Sequence, residues 1–333
     1  MTTTEATSRH PAGTVRDLPP LRVADVRTVA EDVLVLDLVD PTGAVLPPWE
    51  PGAHLELVLP SGLIRQYSLC GAREDRHRYT VAVLRVADGR GGSKEIHDSA
   101  LVGTELEVRG PRNNFPLIDA PEDLLLAGGI GVTPILAMAR ELAATGRNWS
   151  MVYGGRTLSK MAFRTELAGL AAERVQIVPE DQVGFPDLAA ILDSAPPGTA
   201  VYCCGPEAML SVVEKLHHDL GGDTTLHIER FNASAETLER VSAAGTAFQV
   251  ELRRSGTVLD VPADKSLLET IRQVVPGIEF SCSEGICGTC ETPVLEGEVD
   301  HRDDLLSEDE RAANDTMMIC VSRARSARLV LDL

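Results

Sequence analysis

Four of the seven cysteines follow the pattern Cys282-x4-Cys287-x2-Cys290-x29-Cys320, and the first three lie within SCSEGICGTC at 281–290. No other feature restricts the fold of this chain as tightly. Thiolates crowded into one loop need a shared occupant. An x4 gap, an x2 gap and a distant fourth cysteine is the spacing that wraps a [2Fe–2S] cluster. The residues between the thiols suit it. Ser281, Ser283, Gly285, Gly288 and Thr289 are small, so the chain can curl and bring its amides towards inorganic sulfide. A structural zinc site is the competing assignment, but zinc ligands come as C-x2-C or Cys/His pairs. In a reducing compartment, clustered cysteines point to metal ligands or catalytic groups rather than a disulfide framework. Of the other three cysteines, Cys70 reads as a core filler, and of the neighbours Cys203 and Cys204 only Cys204 enters a motif.

The 333 residues are enough for two or three domains, and the rhythm of the chain changes twice. Runs such as DVLVLDLVD, HLELVLP, RYTVAVLRVA and ELEVRGP, broken by Gly and Pro, predict an antiparallel β-barrel over 18–117. Over 118–232, the short apolar strands DLLLAGG, WSMVYGG, VQIVPED and AVYCCGP alternate with helical stretches, which predicts an α/β domain with a parallel sheet. Residues 233–245 are small and polar and read as a linker. Residues 246–333 open on the hairpin FQVELRRSG/TVLDVPAD and a helix at SLLETIRQV, an α+β module that carries the cysteine loop. The fold class expected is therefore multi-domain. Residues 1–17 lack the apolar core of a signal peptide and read as a disordered tail. No apolar run reaches the roughly 18 residues of a membrane span. A formal charge of −19 argues against nucleic acid and anionic membranes as partners. A cytoplasmic monomer is the expectation.

Two further sets of residues carry chemistry. In RQYSLCG, which is expected to follow a strand, Arg65 offers a cation, Gln66 an amide, Tyr67 an aromatic face and Ser68 a hydroxyl. In GRGGSKEIHD, Gly91 and Gly92 precede a helix whose expected N-cap is Ser93, and free N–H groups there suit a phosphate. A plain turn and cap is the alternative. In LLLAGGIGVTPI, Gly128, Gly129 and Gly131 form a strand–turn–helix that lets a pyrophosphate approach the backbone, although Pro134 replaces the last glycine of a full dinucleotide fingerprint. Cys204, Gly205 and Pro206 make a second sharp turn at a later strand end. Both turns fall on the carboxyl edge of a parallel sheet, where ligands bind.

Together RQYSL, GRGGS, GPRNNF, GGIGVTPI, CCGPEAM, HIERF and the four cysteines, in that order, resemble the phthalate dioxygenase reductase family, which includes the vanillate demethylase reductases. The resemblance spans about residue 20 to 333. It implies a ferredoxin–NADP reductase-like flavin and nicotinamide fold with a C-terminal β-grasp ferredoxin domain. It also implies FMN on Arg65, Tyr67 and Ser68, with its phosphate at Gly92 and Ser93. Thr133 and Cys204 would lie beside the nicotinamide, and Phe231 near the flavin ring. Ser68 and Cys204 are then the side chains nearest the hydride path. The implied function is the reductase component of an oxygenase system, passing electrons from NAD(P)H through FMN to the cluster and on to a terminal oxygenase. In this family the acceptor is usually Rieske-type, with a haem-thiolate monooxygenase as the alternative. A stand-alone flavin reductase or diaphorase is a further alternative. NADH is expected, while Arg156, Ser159 and Lys160 stand where the 2′-phosphate of NADPH could sit. The carboxylates of 296–310, Asp303 and Asp304 included, are expected at the surface as a steering patch for a partner, or else as a merely solvated loop.

Overall fold

Valine- and leucine-rich segments become the strands of the first layer, and several of them are buried along nearly their whole length. They are β1 (Leu21–Ala30), β2 (Val33–Val39), β3 (Ala53–Val58), β4 (Ile64–Ser68), β5 (Tyr79–Leu84) and β6 (Glu105–Asn113), with helix α1 (Gly92–Asp98) between the last two. The computed structural model describes residues 18–243 and 245–333, so the tail expected over 1–17 lies outside the described residues. The six strands form one antiparallel sheet in the order β4-β3-β6-β1-β2-β5. A bridge between Leu69 and Val81 joins its two edge strands and closes the barrel. The pairs Leu36/Leu38, Leu55/Leu57 and Leu106/Val108 point into its core. RQYS follows strand β3, as expected, and is itself part of a strand, β4.

The second layer is β7 (Glu122–Gly128), α2 (Val132–Thr145), β8 (Trp149–Gly155), α3 (Arg164–Ala171), β9 (Val175–Pro179), α4 (Glu180–Val183), α5 (Leu188–Asp193), β10 (Thr199–Cys204), α6 (Glu207–Leu220) and β11 (Thr225–Glu229). The strands are parallel, in the order β11-β10-β7-β8-β9. Both faces are covered, as parallel sheets require. Leu124 and Leu126 pack with Leu210 and Val213 of α6. Leu125 and Ala127 pack with Ile135, Leu136 and Met138 of α2, and that core also takes in Val33, Val35, Ala82 and Phe115 of the barrel. Barrel and parallel sheet therefore share apolar surface and form one compact unit, which ends at Phe231.

The second unit begins at Asn232. The segment expected as a linker instead holds a helix, α7 (Ala235–Ser242), capped by Ser234, whose side chain accepts from Thr237 N. Then come β12 (Phe248–Leu252), β13 (Thr257–Val261), α8 (Leu267–Ile271), β14 (Glu291–Glu296), β15 (Val299–Asp300), α9 (Glu308–Ala313), β16 (Thr316–Met318), β17 (Arg323–Ala324) and β18 (Arg328–Leu331). The main sheet runs β13-β12-β18-β14-β16, with β12 and β18 parallel and the other pairs antiparallel. A capping box between Ser266 and Glu269 starts α8, whose Leu267, Leu268 and Ile271 close the core. This is the β-grasp arrangement. Among the described residues no helix is long and apolar enough to cross a membrane.

Candidate functional site

Strand β4 divides its four polar residues between two faces. The Arg65 guanidinium donates to the Ile64 carbonyl at 2.7 Å and to the Arg90 carbonyl. It lies against Gly92, where an added Cβ would come within 2.5 Å of Arg65 Cγ and 2.7 Å of its Nε. Helix α1 starts at that point, and its N-cap is Gly91 rather than Ser93. Gly91 has φ 85, a conformation that favours glycine, and no side chain caps the helix. The Ser93 hydroxyl instead accepts from Val86 N at 3.2 Å. An uncapped helix start with a guanidinium packed directly against it fits a phosphate monoester. Tyr67 is half-buried against the barrel core, and burial pushes its phenol above its ordinary pKa. Gln66 points elsewhere and donates to Glu56 Oε1 at 3.1 Å.

At the end of β4 the buried Ser68 hydroxyl donates to Glu229 Oε2 at 3.4 Å, and Cys204 Sγ lies 4.0 Å from the same oxygen. Three strand ends, β4, β10 and β11, thus bring a hydroxyl, a thiol and a carboxyl together. Burial pushes the Glu229 carboxyl up to about 8, against a smaller opposing pull from the Ser68 hydrogen bond. Glu229 therefore carries a proton at neutral pH. Burial, and then Glu229, push the Cys204 thiol well above its ordinary value. Reading the sequence missed Glu229, although it lies in HIERF. The available signal was its position alone, an acidic residue closing a strand at the carboxyl edge of the sheet. Phe231 of the same motif is half-buried against the core shared by barrel and sheet.

The glycines of the turns differ in their surroundings. An added Cβ on Gly131 would lie 2.2 Å from the Cys204 carbonyl oxygen, and one on Gly128 would lie 2.6 Å from Pro206 Cδ. One on Gly205 would lie 3.0 Å from Gly128 Cα. These three glycines let the turns after β7 and β10 pack against each other. Gly129, at φ 54, faces open space. Thr133 is buried and its hydroxyl donates to the Ile130 carbonyl at 3.0 Å. Pro206 is the N-cap of α6. Ser159 donates to Glu31 Oε2 at 3.0 Å, while Lys160 Nζ lies 3.2 Å from Glu31 and 3.7 Å from Asp32. Both are held by the β1–β2 turn.

In the second unit Cys282, Cys287, Cys290 and Cys320 are all buried, and their sulfurs come within hydrogen-bonding reach of one another. Hydrogen bonds from Cys287 and Cys320, and then the amides of Glu284 and Ile286, hold the Cys282 thiol far below its ordinary range. The Glu284 amide is 3.3 Å from its sulfur. The loop turns through Ser283 at φ 58, Gly285 at φ 74 and Gly288 at φ 75. Cys287 Sγ lies 3.3 Å from the Thr289 hydroxyl. Four convergent thiols inside a ring of amides fit a [2Fe–2S] cluster. No three His, Cys, Asp or Glu side chains among the described residues surround a single-ion position. Ligands shared between two irons do not require one.

The acidic segment differs from expectation. Asp303 is fully buried: its carboxylate accepts from the amides of Leu305 at 3.1 Å and Leu306 at 2.8 Å. The Asp304 carboxylate accepts from Ser234 N at 2.7 Å and from the Thr237 hydroxyl at 2.6 Å. Both are internal anchors rather than a steering patch. Glu296, Glu298, Glu308 and Asp309 are the exposed acids of the segment.

Residues 250–325 match the model of the 2Fe-2S iron-sulfur cluster binding domain. Residues 115–225 match that of the dimethylamine monooxygenase subunit DmmA-like N-terminal domain. The phthalate dioxygenase reductase of Burkholderia cepacia is 40% identical over 321 residues, covering 94% of this chain and 97% of that protein. A solved phthalate dioxygenase reductase, described as a modular structure for electron transfer from pyridine nucleotides to [2Fe-2S], aligns with a TM-score of 0.68. It is 39% identical and covers 95% of this chain and 98% of its own. An intact type IV self-sufficient cytochrome P450 monooxygenase aligns with a TM-score of 0.86 at 42% identity. That alignment takes in 94% of this chain but only 41% of the longer protein.

Proposed function

Because the chain belongs to the phthalate dioxygenase reductase family, and so is an iron–sulfur flavoprotein oxidoreductase, we propose that it delivers electrons from NADH to a Rieske-type terminal oxygenase. The observation that carries this reading is the kinship with phthalate dioxygenase reductase along nearly the full length of both chains. FMN and [2Fe–2S], when bound, supply the exchange between a hydride pair and single electrons.

The protein's own residues bind and orient. Arg65 and the α1 start at Gly91–Gly92 hold the flavin phosphate, and Tyr67 offers a ring face. Ser68 and Cys204 border the path between flavin and nicotinamide. Glu229 holds a proton on its half-buried carboxyl beside both of them. Catalysis would then be mostly the fixing of one ring against another. Gly129 leaves room for the pyrophosphate, and Thr133 stiffens the turn beneath it. With Ser159 and Lys160 tied to Glu31 and Asp32, only Arg156 of the three candidates is left for a 2′-phosphate, which favours NADH. Cys282, Cys287, Cys290 and Cys320 hold the cluster.

A second acceptor class, a haem-thiolate monooxygenase, is favoured by the P450 alignment. The test is reconstitution. The reductase with NADH should reduce a Rieske-type oxygenase component faster than a haem-thiolate one, and faster with NADH than with NADPH. Heat-released flavin should run as FMN. Faster reduction of the haem-thiolate protein would move the assignment to that class, and a colourless chain would end it.

A further inference from the structure

Between the third and fourth cluster ligands, the tripeptide Arg302–Asp303–Asp304 touches two things at once. On one side is α7, the first element after the boundary at Phe231. The Asp304 carboxylate receives Ser234 N at 2.7 Å, Ser234 Oγ at 2.9 Å and Thr237 Oγ1 at 2.6 Å, with Arg240 at 3.7 Å. At the other end of the helix, Arg302 donates to the carbonyls of Arg240 at 2.8 Å and Ala243 at 3.2 Å. An anion at the start and a cation at the finish match the helix dipole, so α7 is held at both ends.

On the other side is the cysteine loop. The Asp304 amide donates to the Gly285 carbonyl at 3.0 Å. An added Cβ on Gly285 would meet Val321 Cγ2 at 2.7 Å and Asp303 Cα at 3.0 Å, so the loop is pressed onto this tripeptide. Gly285 lies between Glu284 and Ile286, whose amides both point at Cys282 Sγ. A continuous path therefore runs from α7 through the Asp304 carboxylate and amide to the Gly285 carbonyl, and on to the amides around the first ligand.

We propose that Asp304 is a positioning residue that couples the seat of helix α7 to the geometry of the cluster loop. The segment entering the cluster unit then helps to set the environment in which the cluster takes an electron. The inference rests on the cluster reading above, and iron content keeps the two apart.

Thr237→Val is the diagnostic variant. It removes one hydroxyl, which lies on the far side of Asp304 from the loop and also accepts from Arg240 at 2.8 Å. Asp304→Asn, which weakens the whole anchor, is the second variant. Both should keep wild-type iron. Amide exchange in α7 should quicken about fivefold, the worth of one hydrogen bond. The EPR spectrum of the reduced cluster and its midpoint potential should shift in both, and Thr237→Ser should restore the wild-type signature. Reduction of a dye by NADH should be unchanged in Thr237→Val. Faster exchange in α7 with an unaltered EPR spectrum and potential in both variants would show that Asp304 merely seats the helix, and would overturn the coupling. A wild-type chain that takes up no iron removes the cluster reading and this inference with it.

Discussion

Glu229 shows how one residue can be plain in composition and hidden in role. Its carboxyl is raised from an ordinary value of about 4.3 to about 8 because burial disfavours its charge. In the folded protein it stays protonated across a range in which the unfolded chain has already lost the proton. Its contribution to stability is therefore fully present below about pH 4.3 and declines as pH rises through about 8. Denaturation of the wild type and of Glu229→Gln, followed from pH 5 to 9, should show a downward slope in the wild type that is reduced in the variant. The same group should mark the chemistry. NADH-dependent flavin reduction should show an inflection near pH 8 that Glu229→Gln abolishes. An identical pH profile in the variant would remove Glu229 from the site. Nothing local in TLHIE announces any of this. The shift comes from burial, which arises only when strands far away in sequence bring Ser68 and Cys204 against the carboxyl.

At the scale of elements, the glycine turns make the sharpest claims. Gly92→Ala would drive a methyl into Arg65, so the purified variant should retain far less flavin while its iron content stays normal. Gly131→Ala sets a methyl against the Cys204 carbonyl and should destabilise the first unit by about 1–3 kcal/mol, read as a lower thermal midpoint. The apolar strands and long amphipathic helices were legible because their period is strong. Strand β1 was not, since past Leu21 and Val23 its residues are largely exposed and carry no alternating apolar signal. Helix α7 was read as linker for a related reason. Apart from the exposed Leu238 and Val241 its side chains are small or polar, and what makes it a helix is the Ser234 cap and two anchors some 60 to 70 residues away.

For the whole molecule, the decisive fact is that each unit, among the described residues, has apolar cores of its own. One set is built from residues up to Phe231 and the other from Phe248 onward. Damage to the cluster loop should therefore leave the flavin unit intact. Cys290→Ser should lose its iron and its reduction of cytochrome c, yet still reduce a small dye with NADH at close to the wild-type rate. Iron content unchanged in that variant would sink the ligand assignment. Barrel and parallel sheet, by contrast, share a core, so large-to-small changes such as Phe115→Ala should lower the stability of both together, by about 3–5 kcal/mol, in one thermal transition.

Resemblance to a known family implied the flavin and nicotinamide, while the sequence by itself determined the order of the folding units and the four-cysteine pattern that suits a cluster. Those last two follow from spacing and periodicity, which survive in one dimension because neighbouring residues act together. Tertiary structure alone decided which acids are chemical, which are anchors and which merely face water. Glu229, Asp303 and Asp304 look like any other carboxylates in the chain. What distinguishes them is burial and partners, and both are set by strands and loops that meet only when the chain has folded.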